Sequence, residues 1–108
     1  MQWKSFLMVC LLVIFAQEVY AEDAITIVII KDFQFSAKEI TIKRGATVRW
    51  ENQEKRQYHN VWFEASGEEE PDYLFPDEFY ERVFDKIGSF PYRCGPHPKM
   101  TGIVHVIE

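Results

Sequence analysis

The chain has 108 residues, of which 47% are hydrophobic and 16% are aromatic. This is the length of one domain, and the aromatic content argues against intrinsic disorder. The chain carries 17 acidic and 12 basic side chains, for a formal net charge of −5. That balance argues against a nucleic-acid partner, because phosphate binding needs a concentrated positive surface.

The first segment, residues 1–21, has the pattern of a secretory signal peptide. It has one basic residue, Lys4, then an apolar run over residues 6–16, and it ends in Val19-Tyr20-Ala21. Such a charged start, apolar centre and small residue at the cleavage site are typical of export signals. The alternative is a membrane anchor, but the apolar run is well short of the ~20 residues that span a bilayer. We therefore expect cleavage after Ala21 and a single exported domain over residues 22–108, periplasmic or otherwise outside the cytoplasm, with no membrane attachment.

Apolar and polar residues alternate along much of the remaining chain, which predicts short strands. The first strand, residues 25–30, is a β-branched run, and we expect it to be buried on much of both faces. Further strands are predicted at residues 33–36, 40–43, 47–51, 79–84, 90–94 and 102–107, and residues 59–63 are again apolar. The absence of any long helical period predicts an all-β antiparallel sandwich of about seven to eight strands.

The interval between the fourth and fifth of these strands is irregular. Residues 65–78 contain two prolines and show no convincing period, although a short helical turn is compatible with them. Acidic residues are concentrated over residues 64–81, with no Lys or Arg until position 82. A solvated loop and a docking surface for a basic partner both explain such a charge run.

Removal of the signal peptide would leave Cys94 as the chain's single cysteine, because Cys10 lies inside the apolar run. An unpaired thiol in an oxidising compartment suggests either intermolecular pairing or a specific function. Cys94 is therefore the most informative residue of the sequence.

A set of metal-ligating residues surrounds this cysteine. Cys94, His97 and Met100 lie within seven residues, and a second histidine, His59, precedes Asn60-Val61. One thiolate, two imidazoles and a thioether suit a soft metal ion, and three strong ligands with a weak methionine form the blue-copper set. Zinc is the competitor, since it accepts Cys and His but has little use for a thioether. We expect one copper ion bound by these four residues.

These motifs resemble those of the cupredoxins, the plastocyanin/azurin-like blue copper proteins. The matching stretches are Asp32-Phe33-Gln34-Phe35, residues 40–45, residues 47–52, His59-Asn60-Val61 and residues 84–102. The short Cys-x-x-His-x-x-Met loop is most similar to that of amicyanin and pseudoazurin. Tyr58 stands where relatives often have proline.

The resemblance implies a Greek-key β-sandwich with a type 1 copper site. His59, Cys94 and His97 would be the equatorial ligands and Met100 the axial one. Asn60 would connect the two ligand loops by hydrogen bonds, and His97 would reach the surface as the exit for the electron.

The function that follows is a monomeric electron carrier, not an enzyme, that passes single electrons between redox partners such as a c-type cytochrome or a dehydrogenase or oxidase. The alternative is a copper delivery or storage protein. A compact loop with a single thiolate favours the carrier, because storage sites more often use several Met, Cys or His residues. By strand alternation His105 points away from Val104 and Val106, and we interpret it as a surface residue and not a ligand.

Overall fold

The computed structural model describes residues 24–108, so the predicted signal peptide over residues 1–21 lies outside the described residues. The described part is built from strands and one 3-10 turn at Glu64–Ser66, which confirms the all-β prediction. The seven strands are β1 (Ile25–Lys31), β2 (Gln34–Phe35), β3 (Glu39–Lys43), β4 (Thr47–Asn52), β5 (Phe79–Val83), β6 (Gly88–Arg93) and β7 (Thr101–Ile107). Within residues 24–108, no helix has the length and apolar character needed to cross a membrane.

The strands form the two sheets of a β-sandwich. One sheet has the order β2-β1-β4-β5 and the other the order β3-β7-β6. The predicted sandwich is confirmed, and each sheet also contains one parallel pair, β1 with β4 and β3 with β7. Parallel neighbours need a crossover connection. Here the chain provides it by passing from one sheet to the other and back between β1 and β4.

The core lies between the sheets and follows the predicted alternation. Val48 and Trp50 of β4 are completely buried, as is Val104 of β7. The Trp50 ring contacts Phe63 and Tyr92, with ring centroids 6.0 and 5.3 Å apart. Burying side chains of this size stabilises a fold by roughly 1.5–3 kcal/mol each, so this aromatic cluster is the centre of the domain.

The prediction that β1 is buried on much of both faces is wrong. Val28 and Ile30 are fully buried, but Ile25 and Ile27 on the opposite face are each 52% exposed. In a two-layer sandwich only the inner face of each sheet packs against the other sheet. A run of β-branched residues hides that difference, because both faces carry apolar side chains.

The long connection between β4 and β5 supplies the remaining core and no strand of its own. Residues 59–63 do not form a regular strand. They join their neighbours through two isolated bridges instead, His59 with Leu74 and Trp62 with Arg93. The predicted irregular character of residues 65–78 is confirmed, and the short turn occurs at Glu64–Ser66. This connection therefore lies across the end of β6, next to Cys94.

Candidate metal centre

The loop between β6 and β7 places three of the predicted site residues. Cys94 directly follows β6 and Met100 directly precedes β7. The Cys94 N–H donates to the Met100 carbonyl at 2.9 Å, and the Met100 N–H donates to the His97 carbonyl at 2.9 Å. Two such bonds inside a seven-residue loop close it tightly, and Pro96 and Pro98 stiffen it further by fixing φ. The short spacing seen in the sequence therefore gives a compact loop.

The fourth residue, His59, is held from the other side by the connection between β4 and β5. Its backbone exchanges two hydrogen bonds with Leu74, at 3.1 and 2.6 Å. The Asn52 side chain donates to the Leu74 carbonyl at 2.8 Å and so supports the same pair. Three residues further on, Trp62 exchanges backbone hydrogen bonds of 2.8 and 3.0 Å with Arg93. These contacts fix His59 against the end of β6.

The two segments bring two imidazoles and a thiol to one point. The Nδ1 atoms of His59 and His97 are each 3.5 Å from Cys94 Sγ, and they are 3.2 Å from each other. Cys94 and His59 are completely buried, whereas His97 is partly exposed. Met100 is also buried, at the end of the same loop. The thiol and the two imidazoles are thus neighbours in space, and Met100 is joined to Cys94 and His97 through its backbone. Of these four residues, His97 is the one that reaches the surface.

Both histidines present Nδ1 to this point, and neighbouring side chains pack around the two rings. His59 Nε2 faces Glu54 Oε1 at 3.5 Å, which leaves Nδ1 directed at Cys94. The Phe33 ring packs edge-on against both imidazoles, with centroids 5.4 Å from His59 and 4.9 Å from His97. The Phe33 N–H also donates to Glu54 Oε1 at 2.8 Å. A carboxylate behind a metal-ligating histidine orients the ring and raises its basicity.

The protonation of these groups follows from their burial. Desolvation lowers the pKa of His59, and the nearby His97 lowers it further, while Glu54 opposes both effects. The neutral imidazole is the form that binds metal. Burial raises the pKa of the Cys94 thiol, and hydrogen bonds from the backbone of Asn60 and His97 partly offset that rise. A metal must displace the thiol proton, so metal uptake should release a proton and strengthen with rising pH.

This donor set fits copper. Three ligand atoms, two imidazole nitrogens and one sulfur, lie within 4.8 Å of one another in residues whose side chains are largely buried. A soft thiolate combined with imidazoles is the ligand chemistry that copper proteins use for electron transfer. The geometry therefore supports the metal expected from the sequence.

Asn60 joins the two ligand segments. It is completely buried, and its Oδ1 accepts the Gly95 N–H at 2.6 Å. Its Nδ2 donates to Glu70 Oε1 and to the Pro71 carbonyl, each at 3.2 Å. The contacts of Glu70, Glu54 and Phe33 with the site had no signal in the sequence, because each of these residues meets the site only through the tertiary fold.

Several acids of the 64–81 stretch form ion pairs with arginines outside it. Both carboxylate oxygens of Glu68 accept hydrogen bonds from Arg82 at 2.7 Å, which lowers the pKa of Glu68. Glu64 pairs with Arg93 at 2.6 Å. The stretch is therefore less uniformly negative than its sequence indicates.

Taken together, the fold and the donor set define a β-sandwich protein with a thiol-and-histidine metal centre at one end. Comparison with known proteins gives the family. The model of the plastocyanin/azurin family of copper-binding proteins matches residues 22–107, and the chain belongs to that family.

The relatives include amicyanins and a plastocyanin. The chain is 39% identical over 88 residues to amicyanin from Paracoccus versutus, an alignment that covers 78% of this chain and 65% of that protein. It is 36% identical over 73 residues to plastocyanin from Scenedesmus fuscus, covering 58% of this chain and 74% of the relative. The solved structure of Paracoccus versutus amicyanin superposes with a TM-score of 0.68 at 34% identity, over 76% of this chain and 80% of the other.

Proposed function

We propose that this protein carries single electrons between redox partners through one type 1 copper ion. The observation that carries the proposal is the convergence of the His59, Cys94 and His97 ligand atoms, with the buried Met100 joined to Cys94 through its backbone. These three residues would be the equatorial ligands and Met100 the axial one. A bound copper ion would supply the chemistry by alternating between Cu(I) and Cu(II).

The chain's own residues would keep the site constrained between the two states. Backbone hydrogen bonds close the loop from Cys94 to Met100, and others hold His59 to Leu74. Ligands already held in place need little rearrangement when the charge of the site changes, which favours rapid transfer. The thiol and the two imidazoles would all be ligands of the ion, so the proposed role is that of a carrier and not of an enzyme.

His97 would be the route by which electrons enter and leave. It is the partly exposed member of the set, and Phe33, which packs on its ring, is itself 45% exposed. A second group of exposed aromatic side chains lies beside His59: Tyr58 contacts Tyr73 and Phe75, with ring centroids 4.7 and 5.9 Å apart. Exposed rings of this kind are typical of a contact face for another protein.

The charge of the protein indicates what kind of partner would dock there. Its net charge is −5, and acidic residues such as Asp72 and Asp77 are exposed along the connection that carries Tyr73 and Phe75. A basic redox protein, such as a c-type cytochrome, or a dehydrogenase or oxidase with a basic face, would be steered towards this end of the molecule. We further infer that residues 1–21 direct export and are removed, and that residues 22–108 act as a single monomeric domain outside the cytoplasm.

The test is a visible and paramagnetic-resonance spectrum of the purified, copper-loaded protein, followed by voltammetry. We expect an intense blue colour and a reversible one-electron couple. His97→Gln should abolish both. His105→Gln is the matched control and should change neither, because His105 bonds to Ser89 and Glu39 on the sheet surface, away from the loop. A colourless copper complex, or no copper uptake, would refute the proposal.

Met100→Ala separates the carrier from a copper delivery or storage protein. In a carrier the axial ligand is weak, so the variant should retain copper and change its reduction potential. Loss of copper binding in this variant, together with a poorly reversible couple in the wild type, would favour delivery.

A further inference from the structure

The Glu70 carboxylate contacts the ligand loop from outside. Its Oε1 accepts a hydrogen bond from Asn60 Nδ2, and the same Asn60 accepts the N–H of Gly95, the residue that follows Cys94. The carboxylate also lies directly over the Cα of Gly95, so a side chain at position 95 would overlap Glu70 Oε1 and approach Asn60 Nδ2 to 3.0 Å. The absence of a side chain at Gly95 therefore leaves room for the Glu70 carboxylate.

This contact has a structural consequence. Asn60 is fully buried, and its amide could rotate to exchange its oxygen and nitrogen. Acceptors at Glu70 and Pro71 keep Nδ2 on one side and so keep Oδ1 directed at the Gly95 N–H. The segment over residues 70–71 thereby fixes the turn that presents Cys94.

The contact also has an electrostatic consequence. Glu70 differs from Glu64 and Glu68, whose charges are balanced by Arg93 and Arg82. Within residues 24–108 the salt bridges include none to Glu70. An uncompensated anion near a redox centre stabilises the oxidised state, because its negative charge attracts the more positive ion and opposes the arrival of an electron.

We propose that Glu70 is a positioning residue of the metal centre that orients Asn60 and the Cys94–Gly95 turn and lowers the reduction potential of the bound ion. The claim about the reduction potential rests on the proposed copper function. The claim that Glu70 orients Asn60 and the Cys94–Gly95 turn concerns the polypeptide alone and can be measured without metal.

Three variants test it: Glu70→Gln, Glu70→Ala and the matched control Glu69→Gln, which removes the same charge one residue away. In the metal-free protein, amide hydrogen exchange at Gly95 should be about five- to tenfold faster in Glu70→Ala, the equivalent of one net hydrogen bond. Glu70→Gln should keep the wild-type rate, because its amide oxygen can still accept from Asn60. In the copper-loaded protein, both Glu70 variants should raise the midpoint potential, and by more than Glu69→Gln does.

Two results would overturn the inference. One is an unchanged Gly95 exchange rate in Glu70→Ala, which would show that Glu70 does not hold the turn. The other is a potential shift in Glu70→Gln no larger than that in Glu69→Gln, which would reduce Glu70 to one surface charge among several. A wild-type protein without a reversible copper couple would instead refute the proposed function, and the metal-free exchange comparison would still decide whether Glu70 positions the loop.

Discussion

Replacing Asn60 by alanine removes the side chain that joins the two ligand segments. The change breaks three hydrogen bonds, one from Gly95 N–H at 2.6 Å and two to Glu70 and Pro71 at 3.2 Å. Asn60 is completely buried, so water cannot readily replace it as a partner. At about 1 kcal/mol for each lost bond, the free energy of unfolding should fall by about 3 kcal/mol. For a domain of this size, that corresponds to a loss of roughly 12–24 °C in melting temperature.

The assay is urea unfolding of the metal-free, reduced protein, which isolates the polypeptide from any stabilisation by bound copper. Asn52→Ala is the matched control. Asn52 is also completely buried and makes three hydrogen bonds, to Gln57, Leu74 and Glu54, at 2.9, 2.8 and 3.0 Å. Both variants should lose a similar amount of stability, but only Asn60→Ala should accelerate amide exchange at Gly95.

The reasoning fails if Asn60→Ala unfolds with less than about 1 kcal/mol of lost stability, the value for a single bond. It also fails if Asn52→Ala accelerates exchange at Gly95 to the same extent. The first result would mean that the asparagine is not part of a buried network. The second would mean that Gly95 reports only on global stability.

Three further predictions concern stability, each measured by urea unfolding. Burial raises the pKa of Tyr92 to about 12, above its ordinary value of 10. The Tyr92 hydroxyl is neutral in both the folded and the unfolded state below pH 10. As the pH rises from 10 through 12, wild type should therefore lose up to ~2.7 kcal/mol of stability relative to Tyr92→Phe. Equal pH profiles would contradict this. Gly102→Ala places a methyl group into the Tyr92 ring and should cost about 1–3 kcal/mol, and a neutral effect would show that the ring can move. Glu68→Gln weakens a partly exposed ion pair with Arg82, so its cost should stay below about 1 kcal/mol and shrink in high salt, whereas a larger cost would show that the pair is structural.

The sequence predicts those parts of the fold that depend on local pattern. Alternation identified β3, β4 and β7, because one face of each is buried and the other is polar or partly exposed. The parallel pairing of β1 with β4 has no local signal, since it depends on the chain crossing between sheets. The exposure of Ile27 has no local signal in the sequence either, because an isoleucine on the outer face is chemically identical to one on the inner face.

The metal centre was likewise predictable where its residues are close in sequence, and not where they meet only through the fold. Cys94, His97 and Met100 are close in sequence, so their spacing alone brings them together. His59 lies 35 residues before Cys94, and its approach depends on the backbone bonds to Leu74, which no period reveals. The groups that orient the ligands, Glu54 and Glu70 among them, meet the site only after the long connection has folded over it.

The location of negative charge follows from the same connection. A net charge of −5 spread over the surface would give a diffuse field, and the acidic run over residues 64–81 appears in sequence as one continuous block. In the fold, three of these acids form ion pairs that balance their charge: Glu64 with Arg93, Glu68 with Arg82, and Glu81 with Arg49. The acids of residues 69–72 stay outside the described salt bridges and adjoin Asn60 through Glu70 and Pro71. Negative charge without a basic partner therefore lies beside the ligand loop, at the same end of the molecule as His97. If the proposed basic partner docks there, screening by salt should slow its association.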